Sequence, residues 1–221
     1  MLVGAAVWAE PGDTLLDVGV GAGAALLAAA FRLRQCRFTG IDIDPLALDC
    51  ARHNVVANGW RDRITIEEGD LASVSRSLAV SHVLSNPPYF SSAKPASPDR
   101  ARAMARHESH IPLEDWVARC ATLAQVSLTV ICPFDRLQTA LRALVGSTWS
   151  VSVMPLVAKQ GQPPIRSVIQ AWREGRPGLH TLAPLVLHDE AGGYTAVAEA
   201  ILRDGRPLEL PRRGALPNVG S

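Results

Sequence analysis

Asn86-Pro87-Pro88-Tyr89 is the stretch of this 221-residue chain whose residue types describe a reaction. An exocyclic amine or amide nitrogen is a poor nucleophile because its lone pair is delocalised. Two acceptors that hold its two hydrogens let it drift towards tetrahedral geometry. The Asn86 side-chain oxygen and the Pro87 carbonyl form such a pair, and Pro87 with Pro88 stiffens the loop so that the acceptors are positioned in advance. Tyr89 offers an aromatic face for a flipped base or a planar amide. Group transfer to the nitrogen then depends on positioning and needs no strong base.

A second constellation lies upstream. Asp17 precedes Gly19-Val20-Gly21-Ala22-Gly23, where the backbone must turn sharply and approach a ligand closely, which only glycine permits. Asp42 follows about 20 residues later, the spacing at which a carboxylate accepts hydrogen bonds from a ribose. Gly19 to Ala24 also satisfies the loose dinucleotide pattern that ends in Gly or Ala. Two features favour S-adenosylmethionine over a nicotinamide cofactor. Asp17 suits a cationic amine or sulfonium and would repel a pyrophosphate. In Glu68-Gly69-Asp70-Leu71, Asp70 is placed to accept from an adenine amine and Leu71 to cover the ring. Asp70 as the cap of the next turn is the competing role.

The elements that must position these residues alternate between short aliphatic runs and helical patterns, the signature of βαβ units and a parallel sheet. Strands are expected at Thr14–Val18, Arg37–Asp42, Ile64–Glu67, Val80–Leu84 and Ser127–Cys132. Helices are expected from Ala24 to Leu33, from Pro45 to Ala57 behind the N-cap Asp44, from Pro112 to Gln125 and from Leu137 to Leu144. Trp149–Ala158 and Ser167–Trp172 read as an antiparallel pair at a sheet edge. Leu185–His188, a Gly192-Gly193 turn and a helix from Tyr194 to Leu202 complete the chain, followed by a mobile tail after Arg203. The fold class is therefore α/β, a Rossmann-like, doubly wound, mostly parallel seven-stranded sheet with an antiparallel edge strand. Residues 1–203 make one domain.

Composition bounds the partners. The chain is 48% hydrophobic and 19% charged, so it has apolar material for a core and is not a disordered chain. Twenty-two basic against twenty-one acidic residues give +1, so no global field recruits a polyanion and a local patch must do so. Lys94, Arg100, Arg102 and Arg106 form such a patch directly after Tyr89, placed for phosphate contacts. The four cysteines are scattered without metal spacing, which suits a reducing cytoplasm. Neither His107-Glu108 with His110 nor His188-Asp189-Glu190 has a third converging ligand set, so no metal site is expected. The opening apolar run lacks a basic flank, and the longest such run, Ala22–Phe31, is half of the roughly 20 residues a membrane helix needs.

Asp17–Gly23, Asp42, Asp70 and Asn86–Tyr89 resemble, in order and spacing, the class I S-adenosylmethionine-dependent amino methyltransferases. More narrowly, the chain resembles the bacterial tRNA1(Val) adenine-N6 methyltransferases. That likeness rests on Asn54–Gly59 with Asp62-Arg63, Arg106-His107-Glu108 before Leu113-Glu114-Asp115-Trp116, Leu187-His188, Gly193-Tyr194-Thr195 and Glu199–Leu202. It implies methyl transfer to the N6 amine of the adenine beside the anticodon, with the tRNA anticodon stem-loop as partner. Val20 stands where the family often has cysteine, and the segment the family carries before its first strand is expected to be shortened here. Release-factor glutamine methyltransferases share the Asn-Pro-Pro-Tyr logic but carry a helical domain before the first strand. DNA adenine methyltransferases, a non-catalytic binding module and a nicotinamide oxidoreductase are the remaining alternatives.

Overall fold

The computed structural model describes residues 1–75, 78–88 and 111–210. Along the chain run α1 (Leu2–Ala6), β1 (Thr14–Val18), α2 (Ala24–Arg32), β2 (Arg37–Asp42), α3 (Pro45–Ala57), β3 (Ile64–Glu68) and β4 (Val80–Ser85). There follow α4 (Leu113–Leu123), β5 (Ala124–Pro133), a 3₁₀ turn (Phe134–Arg136) and α5 (Leu137–Arg142). The last part holds β6 (Ser150–Val157), β7 (Pro164–Trp172), β8 (Gly178–Thr181), β9 (Leu185–Val186) and α6 (Ala196–Leu202).

One nine-stranded sheet has the order β3-β2-β1-β4-β5-β7-β6-β8, with β9 also paired to β6. The five strands from β3 to β5 are mutually parallel, as the βαβ pattern requires. The expected seven strands become nine because β8 and β9 extend β6 in parallel. The antiparallel strand is also relocated. β7 lies between β5 and β6, antiparallel to both, and is not at the edge. Its stretch Ser167–Trp172 is buried throughout, the mark of a strand covered on both faces. Gln170, a polar residue within this buried run, donates from Nε2 to the Ala6 carbonyl at 2.8 Å.

Alternate residues of a strand serve opposite faces. Leu15 packs with α1, α2 and α3, whereas Leu16 packs with α4 and α5. The helices form for local reasons. Asp44 Oδ1 accepts from the Leu46 N–H at 3.0 Å and Pro45 occupies the first turn of α3, where its missing N–H costs nothing. α4 carries Glu114 and Asp115 at its positive end and buries Val117, Cys120, Ala121 and Leu123.

α1 is five residues long and has no side-chain cap at its start, so tertiary contacts must hold it. A Cβ on Gly4 would lie 2.0 Å from the Ala25 carbonyl oxygen, so glycine is what lets α1 meet α2 backbone to backbone. The Arg32 guanidinium donates to the Gly4 carbonyl at 2.9 Å and to the Val7 carbonyl at 2.6 Å, satisfying the end of the helix. Within the stretch expected as a tail, Leu208 and Leu210 are buried and the Leu208 N–H donates to the Ala5 carbonyl at 2.9 Å. Residues 211–221 lie outside the described residues.

At the amino ends of the strands, His82 is fully buried. Its Nδ1 lies 2.8 Å from Ser127 Oγ and its Nε2 lies 2.9 Å from Asp13 Oδ2. Burial lowers the His82 pKa against the opposing pull of Asp13. Ser127 is completely covered, so this Ser-His-Asp arrangement ties β4, β5 and the entry to β1 together and offers no accessible nucleophile. No helix among the described residues is long and apolar enough to cross a membrane.

Candidate active site

Strand register brings the candidate residues to one edge of the sheet. Val18 pairs with both Ile41 and Ser85, and Asp42 pairs with Glu68. The glycine loop after β1, Asp42 at the end of β2, Gly69–Leu71 after β3 and Asn86–Pro88 after β4 therefore share the carboxyl end, where open α/β sheets bind ligands. A cavity of about 890 Å³ opens there, lined by Asp17, Gly19, Gly21, Asp42, Asp70, Leu71, Asn86 and Pro88 among others.

The loop has the backbone its glycines predict. Gly19, Gly21 and Gly23 have φ of 72°, 54° and 90°, all in the left-handed region. The Gly19 and Val20 N–H groups both donate to the Ile41 carbonyl at 2.9 Å, and Asp42 Oδ2 accepts from the Gly21 N–H at 2.8 Å. Asp42 Oδ1 accepts from the Asp44 N–H at 3.0 Å, so one carboxylate joins the glycine loop to the start of α3. Asn54 on α3 pins the loop from the other side, donating from Nδ2 to the Ala22 carbonyl at 3.0 Å.

Asp17 is 1% exposed and lines the cavity. Its Oδ2 is buried and has no hydrogen-bond partner. Burial pushes its carboxyl up to about 7, aided by the nearby Asp42 charge and opposed by the N-terminal amine and the Leu26 N–H. A buried carboxylate with an orphaned oxygen calls for a cation. S-adenosylmethionine carries an ammonium and a sulfonium, so the donor set fits it: Asp17 for the charge, Asp42 for the ribose, and Asp70 with buried Leu71 for the adenine. Asp70 also caps its turn, since Oδ1 accepts from the Ala72 N–H at 2.9 Å. Both roles suggested for it are thus geometrically open, because a carboxylate has lone pairs to spare.

Asn86 is exposed and faces the cavity, and Pro87 is buried beneath it. Tyr89, Lys94, Arg100, Arg102 and Arg106 lie outside the described residues, as do His107, Glu108 and His110. Of the other histidine cluster, His188 stacks on Tyr194 at 5.0 Å and Asp189 closes the turn by accepting from the Gly193 N–H at 2.9 Å.

Two functional candidates escaped the sequence reading. Trp116, to which the sequence assigns no role in the site, lines the cavity, and its ring lies 3.4 Å from where a Cβ on Gly19 would stand. Ser85, fully buried, holds it by accepting from Trp116 Nε1–H at 3.0 Å. The only sequence signal was position: Ser85 ends the strand that delivers Asn86, and Trp116 sits in a stretch shared with the resembled family.

Comparison with known proteins agrees with this geometry. The methyltransferase small domain model matches residues 5–110. A tRNA1(Val) (adenine(37)-N6)-methyltransferase of Porphyromonas gingivalis is 34% identical over 88% of this chain and 82% of its own. One of Shewanella amazonensis is 32% identical over 92% of this chain and 88% of its own. A solved structure described as a predicted O-methyltransferase from Agrobacterium tumefaciens superimposes with a TM-score of 0.73 over 93% of this chain and 95% of its own, at 22% identity, which speaks for the fold. With a glycine loop, an orphaned carboxylate and an Asn-Pro-Pro segment around one cavity, this chain belongs to the family of tRNA1(Val) (adenine(37)-N6)-methyltransferases.

Proposed function

We propose that this chain transfers a methyl group from S-adenosylmethionine to the exocyclic N6 amine of an adenine in tRNA, the adenine beside the anticodon of a valine tRNA. The observation that carries the reading is the shared cavity: Asn86, an acceptor for an amine, faces the same space as the unsatisfied Asp17 Oδ2 and the glycine loop. The relatives named above act, by their names, on adenine 37 of that tRNA.

When bound, S-adenosylmethionine supplies an electrophilic methyl carbon on a sulfonium. The chain's own residues do the rest. Asp17 balances the cofactor's positive charge, Asp42 receives its ribose hydroxyls, and Asp70 with Leu71 holds its adenine. Asn86 Oδ1 and the Pro87 carbonyl accept the two hydrogens of the target amine, freeing the nitrogen lone pair for in-line attack. Pro88 sets the turn and Tyr89 stacks on the flipped base. The surplus amine proton passes to solvent, since Asn86 cannot take it. Lys94, Arg100, Arg102 and Arg106 contact phosphates of the anticodon stem-loop. The described chain acts as one catalytic domain that extends beyond Arg203 to include the buried Leu208 and Leu210, and a tRNA substrate is in keeping with a cytoplasmic activity.

The test is transfer of labelled methyl to unmodified bacterial tRNA followed by nucleoside mass analysis, with Asn86→Ala alongside. N6-methyladenosine that disappears in the variant is the expected result. A methylated release-factor glutamine with unmodified RNA would replace the substrate and keep the Asn86 chemistry.

A further inference from the structure

The cavity is electrically polarised along the sheet. The carboxylates among its described lining residues, Asp17, Asp42, Asp44 and Asp70, stand at the ends of β1, β2 and β3 or just beyond them. Its only cationic side chain among the described lining residues is Arg166, near the start of β7. We propose that the β5–β7–β6 end of the cavity is a phosphate subsite, in which Arg166 binds the phosphodiester next to the target nucleotide. This rests on the RNA reading above and adds a residue and a contact to it.

Register supports the placement. Arg166 pairs with Pro133 on one side and Leu156 on the other, so these three form one row across the sheet. Ile131 is two residues before Pro133 and therefore on the same face, and both Ile131 and Leu156 line the cavity. Ser85 pairs with Val130, which brings Asn86 level with Ile131. From Asn86, just after β4, to Arg166 on β7 is two strand spacings across and two residues along, roughly 12 Å, before the arginine's own reach is added. A nucleotide with its base amine at Asn86 has to carry its phosphates away from the base over a distance of that order. At the β1–β3 end Asp42, Asp44 and Asp70 would repel them. At the β7 end a guanidinium meets them with a planar fork suited to phosphate oxygens.

Arg166 and Ile165 are exposed, so a macromolecule can reach them, and Ile165 offers apolar cover for the sugar. A glutamine side chain brings no anion to this end, so the subsite also separates nucleic acid from protein substrates.

The experiment is steady-state kinetics of the full chain on an unmodified tRNA transcript over a series of salt concentrations, for wild type, Arg166→Ala, Arg166→Gln and Arg166→Lys. Loss of the contact should raise KM for tRNA about tenfold and reduce the slope of log affinity against log salt by about 0.7 to 0.9. The kcat should stay within about twofold, and affinity for S-adenosylmethionine should not change. Lysine should restore part of the KM, because it returns the charge without the fork. Wild-type KM and salt slope in Arg166→Gln, or a loss traced to cofactor binding, would overturn the subsite. If wild type methylates glutamine in a release factor and leaves tRNA untouched, the RNA reading fails and the subsite with it. If wild type methylates tRNA and the variants match it, only the subsite fails.

Discussion

Trp116 Nε1–H donates to Ser85 Oγ at 3.0 Å, and Ser85 Oγ–H passes the chain on to the Val18 carbonyl at 2.7 Å. One buried hydroxyl thereby joins α4 to the residue before Asn86 and to the residue before Gly19. Trp116→Phe keeps an aromatic face in the cavity and removes the donor. The lost bond costs about 1 kcal/mol of stability, since Ser85 retains its other partner. We expect kcat to drop about tenfold because α4 no longer braces the strand end that delivers Asn86, an effect the small displacements of catalytic groups typically produce. Stopped-assay kinetics beside a thermal melt separates the two quantities. A melt shift with unchanged kcat would reduce Trp116 to packing.

Asn86→Ala removes one of the two acceptors for the amine while leaving Asp17 and Asp42 in place. Methyl transfer is expected to fall about 10²- to 10³-fold, the scale for losing one preorganised polar contact to a transition state. Cofactor affinity should stay within about twofold. Asn86→Asp keeps an oxygen acceptor and should retain more activity than alanine. Single-turnover rates with saturating cofactor measure both.

Asp17 predicts an inverted pH response. Its carboxyl sits at about 7 when folded against 3.8 for the free group, so between those values the folded chain holds a proton that the unfolded chain lacks. Its contribution to stability therefore declines as pH rises from 3.8 to 7 and stays low above that. The cationic cofactor needs the ionised form. Affinity for S-adenosylmethionine should rise by up to about tenfold per unit as pH climbs towards 7 and level off above it, with proton release on binding below the plateau. Asp17→Asn should flatten that profile and weaken binding at pH 8. Titration calorimetry in two buffers of different ionisation enthalpy reads the proton directly.

Gly4→Ala forces a methyl group against the Ala25 carbonyl oxygen, which as backbone cannot swing aside. The expected cost is about 1–3 kcal/mol from overpacking, or a Tm lowered by several degrees. Because Met1, Leu2 and Val3 line the cavity, cofactor binding should weaken as well. Calorimetric melts with and without S-adenosylhomocysteine check both effects.

Elements whose local chemistry agreed with their tertiary setting were legible in the sequence. β1, β2 and α3 begin and end where runs, caps and glycines placed them. α1 was missed because four apolar residues around a glycine carry no cap or period, and its stability comes from Arg32 and Gln170. β8 was missed because Gly178–Thr181 is mostly exposed and has no apolar face to read. β7 was moved from an edge to the interior because Ser167 and Gln170 look solvated in one dimension and are buried in three. For the site, Asp17, the glycines, Asp42 and Asn86 were readable because their chemistry is local to a strand end. Trp116 was not, because its role depends on where α4 comes to rest.

Gln170 and Ala6 are 164 positions apart and hydrogen-bonded at 2.8 Å. On the ribosome, β5 emerges long before β7, and until residue 172 follows, its flank that will receive β7 stays open. While the stretch from the end of β5 at Pro133 to the end of β7 at Trp172 is being made, an apolar strand edge is therefore presented to the cell, and α1 waits without its amide partner for far longer. Late insertion of β7 closes both at once, so the final fold registers only when nearly all of the described chain has been translated. Stalled or truncated products lacking β7 should be drawn to chaperones, and the molecule's tolerance of slow translation will be decided around this strand.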